Sequence, residues 1–456
     1  MRRVVKVSRI RIIITIIVVV LTTLLTGCTG KEPNEIAYVV ALGIDSTDDD
    51  NYKITIQYAN TTQISGGASE SGGKAGSEIV DNVTIEAPNI YAGVGLANNI
   101  VSKSFSMSHA KLIVFSKEIA EKGVKDMIET LVRSEEIRPD VFIAVANTTA
   151  NDYLTSVNPE MEVNPAQYYQ LIYQKNQLVG IPDGQLREFF TGLYTDNYDS
   201  ILPVAGVIEG AGDNSQNDDK GQSKDGQNEG SEGSSESLDS FESKSSDDKD
   251  ENEKEKDAEK NTSKYEYDIK NYVGGETAIE KKNKAEAIGA AVFEKDKMVG
   301  ELGEVETEIC KMLKGDYTYS YLTYYNNDTP DIPITVKTTQ QKKPKYKIDT
   351  DKKTVDIELY IESDLYSLPA DYNVENKIED FERDVANYTS SACTEFINNF
   401  TKKYNSDILK LNEKVKYKFL TNNQYNWFKK NVGWSEYKFS VCTNFKVRRT
   451  GLIVRE

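Results

Sequence analysis

The stretch Ile36–Ala59, IAYVVALGIDSTDDDNYKITIQYA, decides how the first half of this 456-residue chain is read. Ile36 to Ile44 and Tyr52 to Ala59 read as two strands, the second alternating through Ile54, Ile56 and Tyr58. The acidic turn Asp45 to Asn51 joins them, and two such runs around a polar turn predict a hairpin. Downstream, Ile90, Val94, Ala97 and Ile100 recur at helical spacing over Asn89 to Ser102, before a strand at Lys111 to Phe115. A helix is expected over Lys117 to Arg133, with Ile119, Val124, Ile128 and Leu131 on one face. A strand at Val141 to Ala146 and a short helix at Asn151 to Val157 follow, then aromatic-rich polar sequence to about Gly206. The class is α+β, without regular βαβ repetition.

The composition changes abruptly at Gly210. From there to Lys264 the chain is Asp, Glu, Ser, Gly, Asn and Lys, with Leu238 and Phe241 nearly its only large apolar residues. Residues 211–260 hold 17 acidic and 7 basic residues, a net of −10 out of the chain's −18. Such a segment cannot bury enough surface to fold, so a disordered acidic insertion is expected over 210–264. A Gly/Ser-rich break at Ser65 to Ser77 reads as a long flexible loop. The net negative charge argues against a general nucleic-acid role.

Beyond the insertion, Ala287 to Phe293 and Met298 to Leu302 form a second expected hairpin around an Asp296-Lys297 turn, followed by a helix at Val305 to Leu313. Strands are expected at Ile334 to Thr338 and Thr354 to Glu362. From Asn373 to Tyr404, Ile378, Phe381, Val385, Tyr388, Ala392, Phe396 and Phe400 recur every three or four residues, so a helix of about thirty residues packs on a sheet. Tyr437 to Arg448 alternates as a long, half-buried strand.

Working outward to the start, Arg2, Arg3, Lys6, Arg9 and Arg11 precede an apolar run from Ile12 to Leu25. These are the charged and hydrophobic regions of an export signal. The run is short of the ~20 residues that a permanent spanning helix needs. Leu25-Thr26-Gly27-Cys28 follows, which resembles the lipobox of bacterial lipoproteins. Cleavage between Gly27 and Cys28 would leave Cys28 as the first residue, its thiol carrying diacylglycerol and its two acyl chains holding the chain at a membrane. The competing reading is an uncleaved signal-anchor helix starting near Ile10.

Catalytic patterns are sparse. His109 is the single histidine, in Ser106-Met107-Ser108-His109-Ala110-Lys111, where a structural or partner-contacting turn residue is expected. Gly93-Val94-Gly95-Leu96-Ala97-Asn98 lacks the third glycine of a dinucleotide fingerprint, and Gly67 to Lys74 lacks the P-loop spacing. Asp45, Asp48, Asp49 and Asp50 lack the central glycine and final Glu of a calcium loop, so a solvated turn is expected. Cys310, Cys393 and Cys442 are odd in number and widely spaced, indicating neither disulfides nor a zinc site. Cys393 falls on the apolar face of the long helix and Cys442 on the polar face of the last strand. No cofactor is called for.

Several segments together resemble the Ger(x)C family, the lipoprotein C subunits of nutrient germinant receptors in endospore-forming bacteria. They are Val39 to Asp45 (VVALGID), Ser106 to Val114 (SMSHAKLIV), Ile119 to Val132 (IAEKGVKDMIETLV) with Arg133 to Arg138, and Ala287 to Leu302 (AIGAAVFEKDKMVGEL). Trp434 and the strand to Gly451 resemble the family's ending. The chain departs from the pattern in its acidic insertion, its Gly/Ser loop and across Asn373 to Asn431, where Asn405-Ser406-Asp407-Ile408 replaces an Asp-Gly-Phe-like stretch. That replacement puts a partner contact there in doubt.

The resemblance implies a non-catalytic, lipid-anchored subunit on the outer face of the spore inner membrane, working with integral membrane subunits of the A and B type. Together with the residue patterns it gives this expected organisation: signal peptide 1–27, an N-terminal α+β region 28–209, the insertion 210–264, and a C-terminal α+β region 265–456 with its long helix near 373–404. Two other classes compete, a lipid-anchored solute-binding protein and a tethered cell-envelope hydrolase. The insertion, repelled by an anionic membrane, is expected to act as an extended spacer. A chain lacking 210–264 should therefore assemble or germinate less well, and unchanged assembly and germination would remove that role.

Overall fold

The computed structural model describes residues 13–17, 35–49, 51–59, 80–157, 164–174, 180–195, 197–208, 271–277, 283–326, 329–367 and 377–450. The expected cleavage site, the Gly/Ser loop and the acidic insertion lie outside the described residues. Among those residues, no helix is long and apolar enough to cross a membrane.

Nine strands form the first sheet: β1 (Ile36–Ser46), β2 (Tyr52–Ala59), β3 (Val80–Ala87), β4 (Ser104–Ser106), β5 (Leu112–Ser116), β6 (Phe142–Ala146), β7 (Ile201–Val207), β8 (Ala285–Glu294) and β9 (Lys297–Leu302). Their spatial order is β3-β2-β1-β5-β6-β7-β8-β9, with β4 beside the start of β1. The β1–β2 hairpin is present, Ile44 opposite Ile54. The centre, β1-β5-β6-β7, is parallel throughout. Central parallel strands are covered on both faces, which is why β5 and β6 are uninterrupted buried runs. The connections from β5 to β6 and from β6 to β7 are helix-containing parallel crossovers within a sheet that stays mixed, its β2, β3, β8 and β9 pairing antiparallel, so the α+β class holds.

The helices of this half are α1 (Ile90–Ala97), α2 (Lys117–Lys122), α3 (Lys125–Val132), α4 (Ala150–Ser156), α5 (Pro165–Gln174) and α6 (Leu186–Thr195). The helix expected to Ser102 stops at Ala97, leaving Ile100 69% exposed. Asn89 opens it by accepting from Ala92 N–H, and the side chain of Asn98 at its end turns away to accept Phe105 N–H at 2.8 Å. The single helix expected over Lys117 to Arg133 is two, broken at Gly123, whose φ of 123° suits glycine. A Cβ there would stand 2.7 Å from Asp296 Oδ2, while Val124 N–H donates to the Asp296 carbonyl at 3.0 Å. Ile119, Val124, Ile128 and Leu131 are nevertheless all buried.

The second half continues with α7 (Glu304–Lys314), β10 (Tyr319–Asn326), β11 (Thr329–Gln340), β12 (Lys345–Asp349), β13 (Thr354–Ser367), α8 (Ile378–Tyr404), α9 (Leu411–Val415), α10 (Asn422–Asn431) and β14 (Lys438–Arg449). Its sheet runs β10-β11-β13-β12, with β14 parallel to β13. Val355, Ile357, Leu359 and Ile361 of β13 and Phe439, Val441 and Phe445 of β14 are buried, as their alternation requires. Onto that face α8 packs Phe381, Val385, Cys393, Phe396, Ile397 and Phe400.

The polar residues of α8 are as well placed as its apolar ones. Asn398 accepts from Phe439 N–H at 3.1 Å and donates to the Phe439 carbonyl at 3.0 Å. Thr394 accepts from Val441 N–H, Ser390 from Thr443 N–H and Glu382 from Val447 N–H. Four helical residues rise about 6 Å and two strand residues about 6.7 Å, so one helix turn keeps step with alternate strand amides. The free edge of β14 is thus closed by side chains rather than by another strand.

The halves are also latched through Asp407. Its backbone N–H donates to Asp199 Oδ2 at 2.9 Å and its carbonyl accepts from Asp199 N–H at 3.1 Å. Its carboxyl accepts Leu411 and Asn412 N–H at 2.7 and 2.8 Å, opening α9. Burial pushes this carboxyl up to about 7, against the two N–H donors. The unfolded value is about 3.9, so between about 4 and 7 the folded state holds more protons and its stability falls as pH rises.

Two measurements test this. Asn398→Ala leaves the Phe439 N–H and carbonyl without their partners and should cost about 1–3 kcal/mol in urea unfolding; an unchanged midpoint would contradict the edge closure. In the difference between parent and Asp407→Asn, unfolding free energy should decline from about pH 4 to about pH 7. A flat or rising difference would contradict it.

Candidate functional site

The resembling segments converge on the first sheet. Tyr38 leads into VVALGID and its ring meets the His109 imidazole edge-on, centroids 4.8 Å apart. Parallel pairing of β1 with β4 places Tyr38 opposite Ser106, and Lys111 N–H donates to the Val40 carbonyl at 2.9 Å. Met107 N–H donates to Glu136 Oε2 at 2.6 Å, tying SMSHAKLIV to the segment Arg133 to Arg138. AIGAAVFEKDKMVGEL is the β8–β9 hairpin, fixed to α2 by Lys117 and Glu301 at 2.9 Å and to the Gly123 break by Asp296. Its turn is Lys295-Asp296, one residue earlier than expected, with Lys295 at a φ of 57°.

His109 is exposed, as a turn histidine should be. Its Nδ1 lies 3.0 Å from Ser108 Oγ, which lies 3.0 Å from Ser106 Oγ. This small hydroxyl–imidazole chain fixes the ring's orientation and presents it to solvent. Asp45, expected in the solvated turn, is instead buried on β1. Its carboxyl accepts Ala150 N–H at 2.6 Å and Asn151 N–H at 3.0 Å, capping α4 with a negative charge. Burial raises its pKa against those bonds. Among the described residues no group of three or more His, Cys, Asp or Glu side chains is placed to hold a metal.

Other ionisable groups lie on α7, Lys311 buried and Glu308 half-buried. Burial lifts the Glu308 carboxyl to about 7, with Tyr317 OH donating to it at 3.2 Å. Burial lowers Lys311 to about 8 while its ammonium donates to the Ile181 carbonyl at 3.0 Å. Both serve as joints between α7 and its surroundings. Cys393 is buried and burial pushes its thiol up to about 12, whereas Cys442 is exposed on β14. Gly27 and Cys28, the expected cleavage and lipid site, lie outside the described residues.

Sequence reasoning missed the tyrosine packing under α4 and α5. Tyr153 and Tyr173 hydroxyls meet at 2.9 Å and Tyr169 donates to buried Gln57 at 2.5 Å. A tyrosine counts as half polar in a periodicity, and only its partners show that it is core.

Residues 30–207 match the family described as "Spore germination protein N-terminal domain" and residues 288–451 that described as "Spore germination B3/ GerAC like, C-terminal". Among relatives, the chain is 26% identical to "Spore germination protein KC" of Bacillus subtilis (strain 168) over 174 residues, 35% of this chain and 42% of that protein. It is 28% identical to "Putative spore germination protein YfkR" of the same organism over 145 residues, 32% of this chain and 37% of that one. These matches span less than half the length of either relative. A solved structure titled "Crystal Structure of the GerBC protein" is 15% identical with a TM-score of 0.47, covering 89% of this chain and 96% of that one. With both family matches in order along the sequence, the chain belongs to the Ger(x)C, or GerAC-like, family of spore germination proteins.

Proposed function

We propose that this chain is the lipid-anchored C subunit of a nutrient germinant receptor and acts by binding rather than by catalysis. The observation that carries the reading is the family match to both halves of the chain, residues 30–207 and 288–451. Diacylglycerol on Cys28, after cleavage at Gly27, holds it on the outer face of the spore inner membrane. Its partners there are the integral membrane subunits of the A and B type. Confinement to the membrane turns partner binding into an encounter at high effective concentration, so modest surface affinity suffices. The exposed His109 turn, braced by Tyr38, Ser108 and Glu136, is a contact for those partners.

Replacing Cys28 tests the anchor. A Cys28→Ala chain should pass from the membrane fraction to the soluble fraction, with nutrient germination reduced, because two acyl chains supply far more retention than a single marginal one. Membrane retention and germination equal to the parent's would contradict the reading.

A further inference from the structure

The segment from Lys410 to Asn431 carries a surface that the core does not use. α10 turns Tyr425 and Phe428 inward, Phe428 meeting Phe419 at 4.9 Å and Trp434 at 6.2 Å between ring centroids. Trp427, just before Phe428 and so roughly a quarter-turn around the helix from it, is 69% exposed, and Leu420 is 95% exposed. With Lys418, Phe419, Asn423 and Gln424 they line an open groove of about 580 Å³. A single exposed apolar residue means little; a Trp and a Leu sharing one groove in a well-packed helical segment mark a contact surface.

The charge of this surface identifies what it meets. Residues 410–431 carry six lysines against one acidic residue, Glu413, in a chain whose net charge is −18. Among the described residues, only Lys410 of the six forms an ion pair, with Glu188. Lys414, Lys418 and Lys429 aim their ammonium groups at the backbone carbonyls of Leu409, Ile348 and Thr195, which leaves their charge in place. Lys416, Lys418 and Lys430 are exposed. Tryptophan and leucine beside unneutralised lysines suit the boundary of an anionic bilayer, where the ring sits at headgroup depth and the ammonium groups meet lipid phosphates. Each lysine brought to such a surface strengthens attachment by roughly fivefold.

We propose that this groove docks on an anionic lipid surface, with Trp427 and Leu420 entering the headgroup boundary and the exposed Lys416 and Lys430 facing the lipid phosphates. The contact rests on the membrane location proposed above and orients the C-terminal half against the membrane independently of the lipid on Cys28.

The full chain reconstituted into vesicles that contain brominated phosphatidylcholine, alone or equimolar with phosphatidylglycerol, tests this through tryptophan emission. Buried Trp434, 2% exposed, stays out of reach of the bromines, so quenching reports Trp427. Quenching is expected with phosphatidylglycerol and not without it. It should vanish in Trp427→Phe, and fall by more than half in Lys416→Glu/Lys430→Glu, which must retain the parent's near-ultraviolet circular dichroism. Absence of quenching with phosphatidylglycerol, equal quenching in both vesicles, or quenching that survives in Trp427→Phe each overturn the proposal. So does an unquenched parent whose Trp427→Glu variant blocks germination, which assigns the groove to a protein partner. A parent chain retained on vesicles but unquenched defeats this contact alone, while a Cys28→Ala chain retained like the parent on vesicles of phosphatidylcholine alone defeats the anchor alone.

Discussion

The antiparallel ladder between β7 and β8 is the interaction on which the rest of this structure depends. Ile201 lies opposite Val292 and Val207 opposite Ala285, so a strand that ends the first half pairs with one that opens the second. Ile208 N–H closes the ladder by donating to the Lys284 carbonyl at 2.9 Å. The chain therefore leaves the sheet after β7 and re-enters it at β8, at neighbouring points. Loop-closure entropy grows only logarithmically, about 0.6 kcal/mol for each doubling of length, so a long connection between two paired strands costs the fold little more than a short one. Backbone contact reinforces the joint: a Cβ on Gly206 would fall 2.0 Å from Gly274, and Asn147 donates to the Gly274 carbonyl at 2.7 Å.

With that joint made, the second sheet is organised by one helix. α8 covers β13 and β14 with its aromatic face and occupies the open edge of β14 with Glu382, Ser390, Thr394 and Asn398. A neighbouring strand would supply the same hydrogen bonds but would expose a new edge. Closing the edge with side chains ends the sheet, and it explains serine, threonine and asparagine inside a long helix, where they are otherwise mildly unfavourable. The Asp199–Asp407 latch and the Lys311–Ile181 contact then tie this module back to the first half.

Much of this was legible in the sequence, for identifiable reasons. Buried parallel strands such as Leu112–Ser116 and Phe142–Ala146 appear as apolar runs, and the face of α8 appears as a period of three to four. The α+β class and both hairpins follow from such patterns. What was hidden depends on contacts far apart in sequence. The parallel register of β1, β5, β6 and β7 is invisible to local periodicity. α5 reads as polar because its tyrosines hide hydroxyls that find partners only in the fold. Gly123 breaks a good helical pattern because Asp296, far along the chain, occupies the space a Cβ would need. Asp45 reads as turn acid until α4 places its amide groups over it. The resembling segments prove to be the joints of the first sheet.

Under the proposed function, this two-sheet member of the spore germination family would be held at a membrane and engage integral partners there. The most direct test is purification of the tagged full chain from detergent-solubilised spore membranes, with identification of whatever accompanies it. The account predicts recovery from the membrane fraction together with integral membrane receptor subunits. Recovery from the soluble fraction, or from membranes without any integral partner, would contradict it.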